Sequence, residues 1–250
     1  MRKPAWALFT LMTFTAVALA CTKIPTDAGA VLSFTVNPLP SPSVVVGDTL
    51  RDSLGAVRPI TISAFNFQGG SINSPGIHFS AADRGIRVDS VSGLVIGDSV
   101  RPAARIIVSV GSIQAPVQIG VSLRPDSAAP LNARDSLLYS LTDTTVNVSN
   151  AMGITLLHGT GSDSVVAGYR VSFRLISPAG TIAQLVNDNG APGTTADTTD
   201  ASGNASRRIK LNVAQLTSVS DSVVVLASAT YRGAGVRGSP VRLVLKYKLK

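Results

Sequence analysis

The sequence predicts an all-β protein, built as two tandem β-sandwiches behind an N-terminal signal segment. Three observations carry that expectation. Apolar and polar side chains alternate with period two in segment after segment, and no sustained helical period appears. All 14 acidic residues are aspartate, so glutamate, the better helix former, is absent. The breaks between alternating segments hold Gly, Pro, Asn, Asp or Ser, each of which favours turns for its own reason.

The chain begins with the positive run Met1-Arg2-Lys3, followed by 16 uncharged residues from Ala5 to Ala20. That layout is a secretory signal, and its apolar run falls short of the roughly 20 residues that span a bilayer as a helix. Ala18-Leu19-Ala20-Cys21 closes it with small residues, and this ending resembles the lipobox of bacterial lipoproteins. The resemblance implies that residues 1–20 are removed and that Cys21 becomes the lipidated first residue; an ordinary cleaved signal with a chance cysteine is the competing reading. Thr22, not aspartate, follows the cysteine. By analogy with lipoprotein sorting this leans towards the outer membrane, on its periplasmic face or at the cell surface. Residues 21–30 then serve as a tether.

Removal of residues 1–20 takes Arg2 and Lys3 from a formal charge of +8 and leaves +6. It also removes Trp6, the one tryptophan. With Cys21 as the single cysteine no intrachain disulfide can form, so each sandwich must rely on its core, which 45% apolar residues make feasible.

Strands are expected at residues 32–36, 60–67, 77–80, 86–89, 105–110 and 117–123, then at 169–175, 205–213, 223–231 and 241–249. The strictest alternation is Tyr169-Arg170-Val171-Ser172-Phe173-Arg174-Leu175 and the nine residues from Val241 to Leu249. Such segments bury one face and wet the other. Asp-Ser pairs at 52–53, 135–136, 163–164 and 221–222 read as turn chemistry leading into strands. Arg124-Pro125-Asp126-Ser127-Ala128-Ala129-Pro130 marks a boundary, which divides the chain into domains at 31–123 and 136–250 with a linker at 124–135. A single large sandwich is the alternative.

Val44-Val45-Val46-Gly47-Asp48-Thr49-Leu50, followed by the passage from Ile86 through Gly97, resembles the bacterial immunoglobulin-like domain of group 2. The tryptophan common in that family's middle is replaced here by Ile77-His78-Phe79-Ser80. In the second half, Val166-Ala167-Gly168-Tyr169-Arg170-Val171-Ser172-Phe173 and Thr198-Thr199-Asp200-Ala201-Ser202-Gly203-Asn204-Ala205 resemble the group 1, invasin- and intimin-type immunoglobulin-like domain. Both resemblances imply spacer, adhesion or protein-binding roles at a bacterial surface, and neither brings catalytic residues with it.

Gly233-Ala234-Gly235-Val236-Arg237-Gly238 spells a dinucleotide fingerprint, but Pro240 and a strand follow it where a helix is needed, so it reads as a hairpin connection. Asn187-Asp188-Asn189-Gly190 offers oxygens, yet an EF-type loop centred on Gly190 would begin at Leu185 and end at Ala196. A looser calcium site at Asp188, Asp197 and Asp200 stays open beside the turn-rich loop; otherwise no metal and no cofactor is expected. His78 and His158 have no positioned serine beside them, and the chain is read as no enzyme.

Arg170, Arg174, Arg242, Lys246 and Lys248 fall on the polar faces of their strands, joined by Arg208 and Lys210, with Lys250 beyond. Neighbouring strands would make these a positive stripe that attracts acidic glycans or lipid headgroups; a solvated sheet face is the competing reading. Nucleic acid is not an expected partner, since no aromatic platform accompanies the charges. The chain is therefore expected to be a non-enzymatic, lipid-anchored envelope protein serving adhesion, spacing or protein binding through loops at 186–200 and 232–239. The alternative is an accessory module that binds acidic glycan or peptidoglycan through the basic sheet face. Its partners are the membrane, through the lipid, and a protein or glycan ligand.

Overall fold

The computed structural model describes residues 29–73, 75–159, 164–177, 182–193, 195–216 and 221–250. The signal segment, Cys21 and most of the tether lie outside the described residues. Nearly every regular element is a strand. Two single 3-10 turns, Thr144–Val146 and Val213–Gln215, are the only helical elements among the described residues, none of which forms a helix long and apolar enough to cross a membrane.

In the first half the strands are β1 (Ser33–Val36), β2 (Ser43–Val45), β3 (Ile62–Phe65), β4 (Ser71–Ile72), β5 (Ile77–Ala81), β6 (Ile86–Val88), β7 (Val95–Gly97), β8 (Arg101–Val110) and β9 (Ile113–Ser122). The second half supplies β10 (Ser127–Leu131), β11 (Arg134–Tyr139), β12 (Met152–His158), β13 (Ser164–Val165), β14 (Arg170–Ser177), β15 (Ala183–Val186) and β16 (Ala196–Thr198). It ends with β17 (Asn204–Leu211), β18 (Ser222–Ser228), β19 (Thr230–Tyr231), β20 (Ala234–Gly235) and β21 (Val241–Leu249).

The chain divides into two compact units. The smaller comprises the described residues up to Thr35 together with Ile62–Gly76. Its sheet runs β1-β3-β4, and the Asn66 side chain accepts from the amides of Gln68 (3.0 Å) and Gly70 (2.8 Å) to set the turn between β3 and β4.

The larger unit, Val36–Thr61 and Ile77–Lys250, holds everything else. In its first part a sheet runs β2-β9-β8-β5, with the hairpin β6-β7 apart from it. Alternation in β8 and β9 buries Ala104, Ile106, Val108 and Val110 together with Val117, Ile119 and Val121. Pro116 is tolerated because β2 meets β9 only at Gly120–Ser122, which leaves β9 a neighbour on one side at the proline.

Its second part is a sandwich. One sheet runs β10-β12-β17-β15, with β13 against β12, and the other runs β11-β21-β18-β14-β16. Met152, Ile154, Leu156, Ala205, Ile209 and Leu211 from the first sheet meet Val171, Phe173, Val223, Val225, Leu243 and Leu245 from the second in one core. Each is an alternate residue of its strand, so the period-two pattern and the core are the same fact.

The expected linker at 124–135 is corrected by this arrangement. Ser127–Leu131 is β10, paired with β12 from Ser127↔Leu157 to Leu131↔Gly153. Its proline-bearing composition reads as a loop, yet β10 is an edge strand and Pro130 fits an edge. Asn132 then takes φ 47°, and the chain crosses to the opposite sheet, where β11 runs parallel to β21. The same parallel closing pair appears as β2 with β9. Asp-Ser at 52–53 opens a turn, with Asp52 accepting from the amides of Leu54 and Ala56 (both 3.0 Å), whereas Asp-Ser at 135–136 lies inside β11.

Phe173 is 1% exposed at the centre of the second core. Phe173→Ala is expected to lower unfolding free energy by about 3–5 kcal/mol, read as a fall in the denaturation midpoint with little change in the slope.

Candidate functional site

Two features of the larger unit gather polar chemistry: a junction around Asp48 and one outer sheet face. Asp48 follows β2 in a turn opened by Gly47 at φ 73°, and its side chain is only 4% exposed. It accepts hydrogen bonds from the Thr49 amide at 2.8 Å, from Arg51 Nε at 3.1 Å and Nη2 at 3.0 Å, and from Arg232 Nε at 2.9 Å. Burial pushes the Asp48 carboxyl up, but the donors Arg232, Arg51, Thr49 and Tyr231 outweigh it and hold the group well below the ordinary 3.8.

Arg232 reaches Asp48 because of a tight hairpin. β19 and β20 are joined by two residues, Arg232 at φ 51° and Gly233 at φ 80°, the left-handed pair that a type I′ turn requires. The turn tip then meets Gly55, itself at φ 86°, where a Cβ would collide with the backbone nitrogen of Gly233. Arg51 Nη1 donates to the Gly55 carbonyl at 2.9 Å. Tyr169 donates to the Thr230 carbonyl at 2.6 Å, and burial pushes its hydroxyl pKa up. These groups surround a cavity of about 160 Å³ lined by Thr49, Tyr169, Arg170, Ser172, Tyr231 and Arg232, among others.

The second feature is the outer face of the sheet β11-β21-β18-β14-β16. Arg174 pairs with Leu226, and Leu226 with Arg242, so the two arginines share a row with one strand between them. Lys246 and Lys248 continue along β21 on the same face. Arg134 joins them from β11, opposite Val244, at a position the sequence marks as linker and not as strand. Arg134, Arg242 and Lys246 flank a shallow depression of about 580 Å³ over Val244. Val224, although it faces outwards beside Val244, is only 5% exposed.

The expected stripe is thus redrawn. Arg208 and Lys210 lie on β17, in the other sheet, where Arg208 Nε donates to the Ser149 carbonyl at 2.9 Å. Alternation tells which side of a strand is wet but not which sheet the strand joins. Arg170 is half-buried at the junction cavity, with Nη1 3.4 Å from the Pro40 carbonyl. Elsewhere aspartates pair with arginines, as in Asp83 with Arg105 (3.1 Å) and Asp98 with Arg87 (2.8 Å). Arg134, Arg174, Arg242, Lys246 and Lys248 form no ion pair among the described residues.

The calcium candidates do not converge. Asp197 pairs with Arg207 at 2.8 Å, Asp200 accepts from the amides of Ser202 and Asn204 across its turn, and Asp188 offers its backbone carbonyl to Arg208. Among the described residues no cluster of three or more His, Cys, Asp or Glu is placed to hold a metal. His78 stands exposed on β5 opposite Ser109, and His158 Nδ1 sits 2.8 Å from Asp126 and 2.9 Å from the Arg124 carbonyl. That second contact ties residues 124–126 to the end of β12.

No protein-family profile matches the chain, and no curated protein sequence matches it. Among solved structures, domains 4 and 5 of the S-layer protein SbsC align over 87% of this chain and 98% of theirs, with 11% identity and a TM-score of 0.32. The Yersinia pseudotuberculosis adhesin InvE aligns over 89% of this chain and 61% of its own, with 14% identity and a TM-score of 0.32. Human protocadherin-24 EC1-2 aligns over 87% and 99%, with 14% identity and a TM-score of 0.26. Likeness at this level assigns no function.

Asp48→Ala is expected to cost about 2–3 kcal/mol, below the roughly 3–5 of a fully buried pair because Arg51 and Arg232 can regain water. A carboxyl whose pKa is lower folded than unfolded stabilises the fold above the unfolded value and loses that contribution as pH falls through the folded one. Melting temperature should therefore begin to fall below about pH 5 and keep falling beyond pH 2, and Asp48→Asn should flatten that slope. An unchanged acid profile in the variant would remove Asp48 from this role.

Proposed function

We propose that the chain is a non-enzymatic, lipid-anchored protein of the bacterial envelope, in which two immunoglobulin-like halves act as a stiff spacer that presents a binding surface. On this reading Cys21 carries the lipid, the following residues form the tether, and the halves, the second beginning with β10 at Ser127 rather than at 136, are group 2-like and group 1, invasin-like. The observation that carries the reading is the junction. Asp48 with its four donor groups and the Gly55–Gly233 backbone contact join the part of the first half that belongs to the larger unit to the hairpin of the second. A joint so held suits distance-keeping better than a hinge does. The lipobox resemblance and Thr22 support attachment at the outer membrane.

A second reading, binding of acidic glycan through the sheet face, is favoured by the five cations there that form no ion pair among the described residues. Exposed charges act through water and are screened within about 10 Å at 0.1 M salt.

Two measurements bear on these readings. Intact mass of the exported protein should show acyl chains that vanish in Cys21→Ser, which should also move the protein from the membrane to the soluble fraction. Retention of the protein on acidic cell-wall polysaccharide should weaken steeply between about 0.05 and about 0.5 M salt if the cationic face is responsible. Salt-independent retention would count against the face.

A further inference from the structure

The cavity at the junction and the cationic face are one continuous surface. Arg170, Ser172 and Arg174 are alternate residues of β14 and so project to the same side, and Ser172 pairs with Ser228 across β18. Ser172 and Ser228 both line the cavity, as does Arg170, while Arg174 begins the cationic row that ends at Arg242. The track therefore runs from Lys248, Lys246 and Arg242 over Arg174 to a concave end beside Arg170.

At that end two guanidinium groups retain donors. Arg232 holds Asp48 through Nε and lies over the Tyr231 ring, 5.3 Å from its centre, and among the described residues its guanidinium finds no acceptor besides Asp48 and Tyr231. Among the described residues Arg170 makes one side-chain hydrogen bond, a 3.4 Å approach of Nη1 to the Pro40 carbonyl. Hydroxyls of Ser172, Ser228 and Thr49 supply further polar groups around the same space. Asp48, the cavity's buried acid, is already saturated by its own donors, and Asp52 is paired with Arg58 at 3.1 Å. The positive charge of Arg170 is thus left unanswered in a recess large enough for one small group, about 160 Å³.

We propose that this recess binds one oxyanion group, a carboxylate or phosphate of an acidic envelope polysaccharide whose following residues lie along the cationic face. The planar donor forks of Arg170 and Arg232 suit two-point contact with such a group, and the partly dry recess strengthens each contact relative to the open sheet. The face supplies attraction that any polyanion would feel; the recess supplies selection of the group at one position. This proposal rests on the glycan-binding reading above.

The test measures binding of polygalacturonate and of long-chain polyphosphate to the exported protein at fixed salt, with glucuronate and inorganic phosphate as competitors. Arg170→Gln and, separately, Ser172→Asp are expected to weaken binding of the preferred polymer at least about tenfold while leaving the melting temperature unchanged. Ser172 is exposed, so that variant keeps the test informative if Arg170→Gln folds poorly. The competitor that displaces the polymer distinguishes carboxylate from phosphate as the source. If combined neutralisation of Arg174, Arg242 and Lys246 abolishes binding but both recess variants bind normally, the recess assignment is overturned and the face reading stands. If neither polymer binds the unaltered protein, or only anionic phospholipid vesicles do, both are overturned.

Discussion

Asp48 is a carboxylate taken out of water, and the arrangement of the larger unit around it follows from what that requires. A buried acid without donors would recover its proton or open its surroundings. Here the donors come from both ends of the chain: Thr49 and Arg51 from its own turn, Arg232 and Tyr231 from a hairpin in the second half. The hairpin in turn needs a left-handed pair at Arg232 and Gly233, and the space it enters exists because Gly55 carries no side chain. One ionised group therefore links two backbone requirements that are far apart in sequence.

Charge is settled differently at the junction and on the sheet face. Around Asp48, charge is neutralised at short range within a narrow space. On the outer sheet face the cations stand apart, held at strand spacing by the β ladder and separated by Leu226, Val224 and Val244. Long basic side chains can lay their stems on such apolar rows while their charged ends stay wet, which fits the low exposure of Val224. Local order and long-range attraction thus occupy adjoining regions of one surface.

How much of this was legible before the fold was known depends on the range of each signal. The alternation from Val241 to Leu249 marked β21 with the same bounds, because a half-buried strand writes its environment into every second residue. Ser127–Leu131 carries no such alternation, and its proline masks a strand that pairs with β12 along its length and on its other side only with Arg237, away from Pro130. The partnership of Asp48 with Arg232 spans 184 positions, and no local pattern connects a turn aspartate with a hairpin arginine so distant. Arg208 and Lys210 would join the stripe only if their strand neighboured the others, and it lies in the other sheet: a wet face is local, whereas strand order is set by the whole topology. Arg134 gives no such signal, because the residues before it read as linker and show no wet or dry face.

The crossover at Asn132 has a mechanical corollary. It leaves β11, near the entrance of the second sandwich, running parallel to β21, at its exit, over six paired positions from Arg134↔Val244 to Tyr139↔Leu249. Tension applied to the two ends of that sandwich would draw these strands past each other lengthwise. Their hydrogen bonds would share the load in shear, where an antiparallel hairpin would peel open one bond at a time.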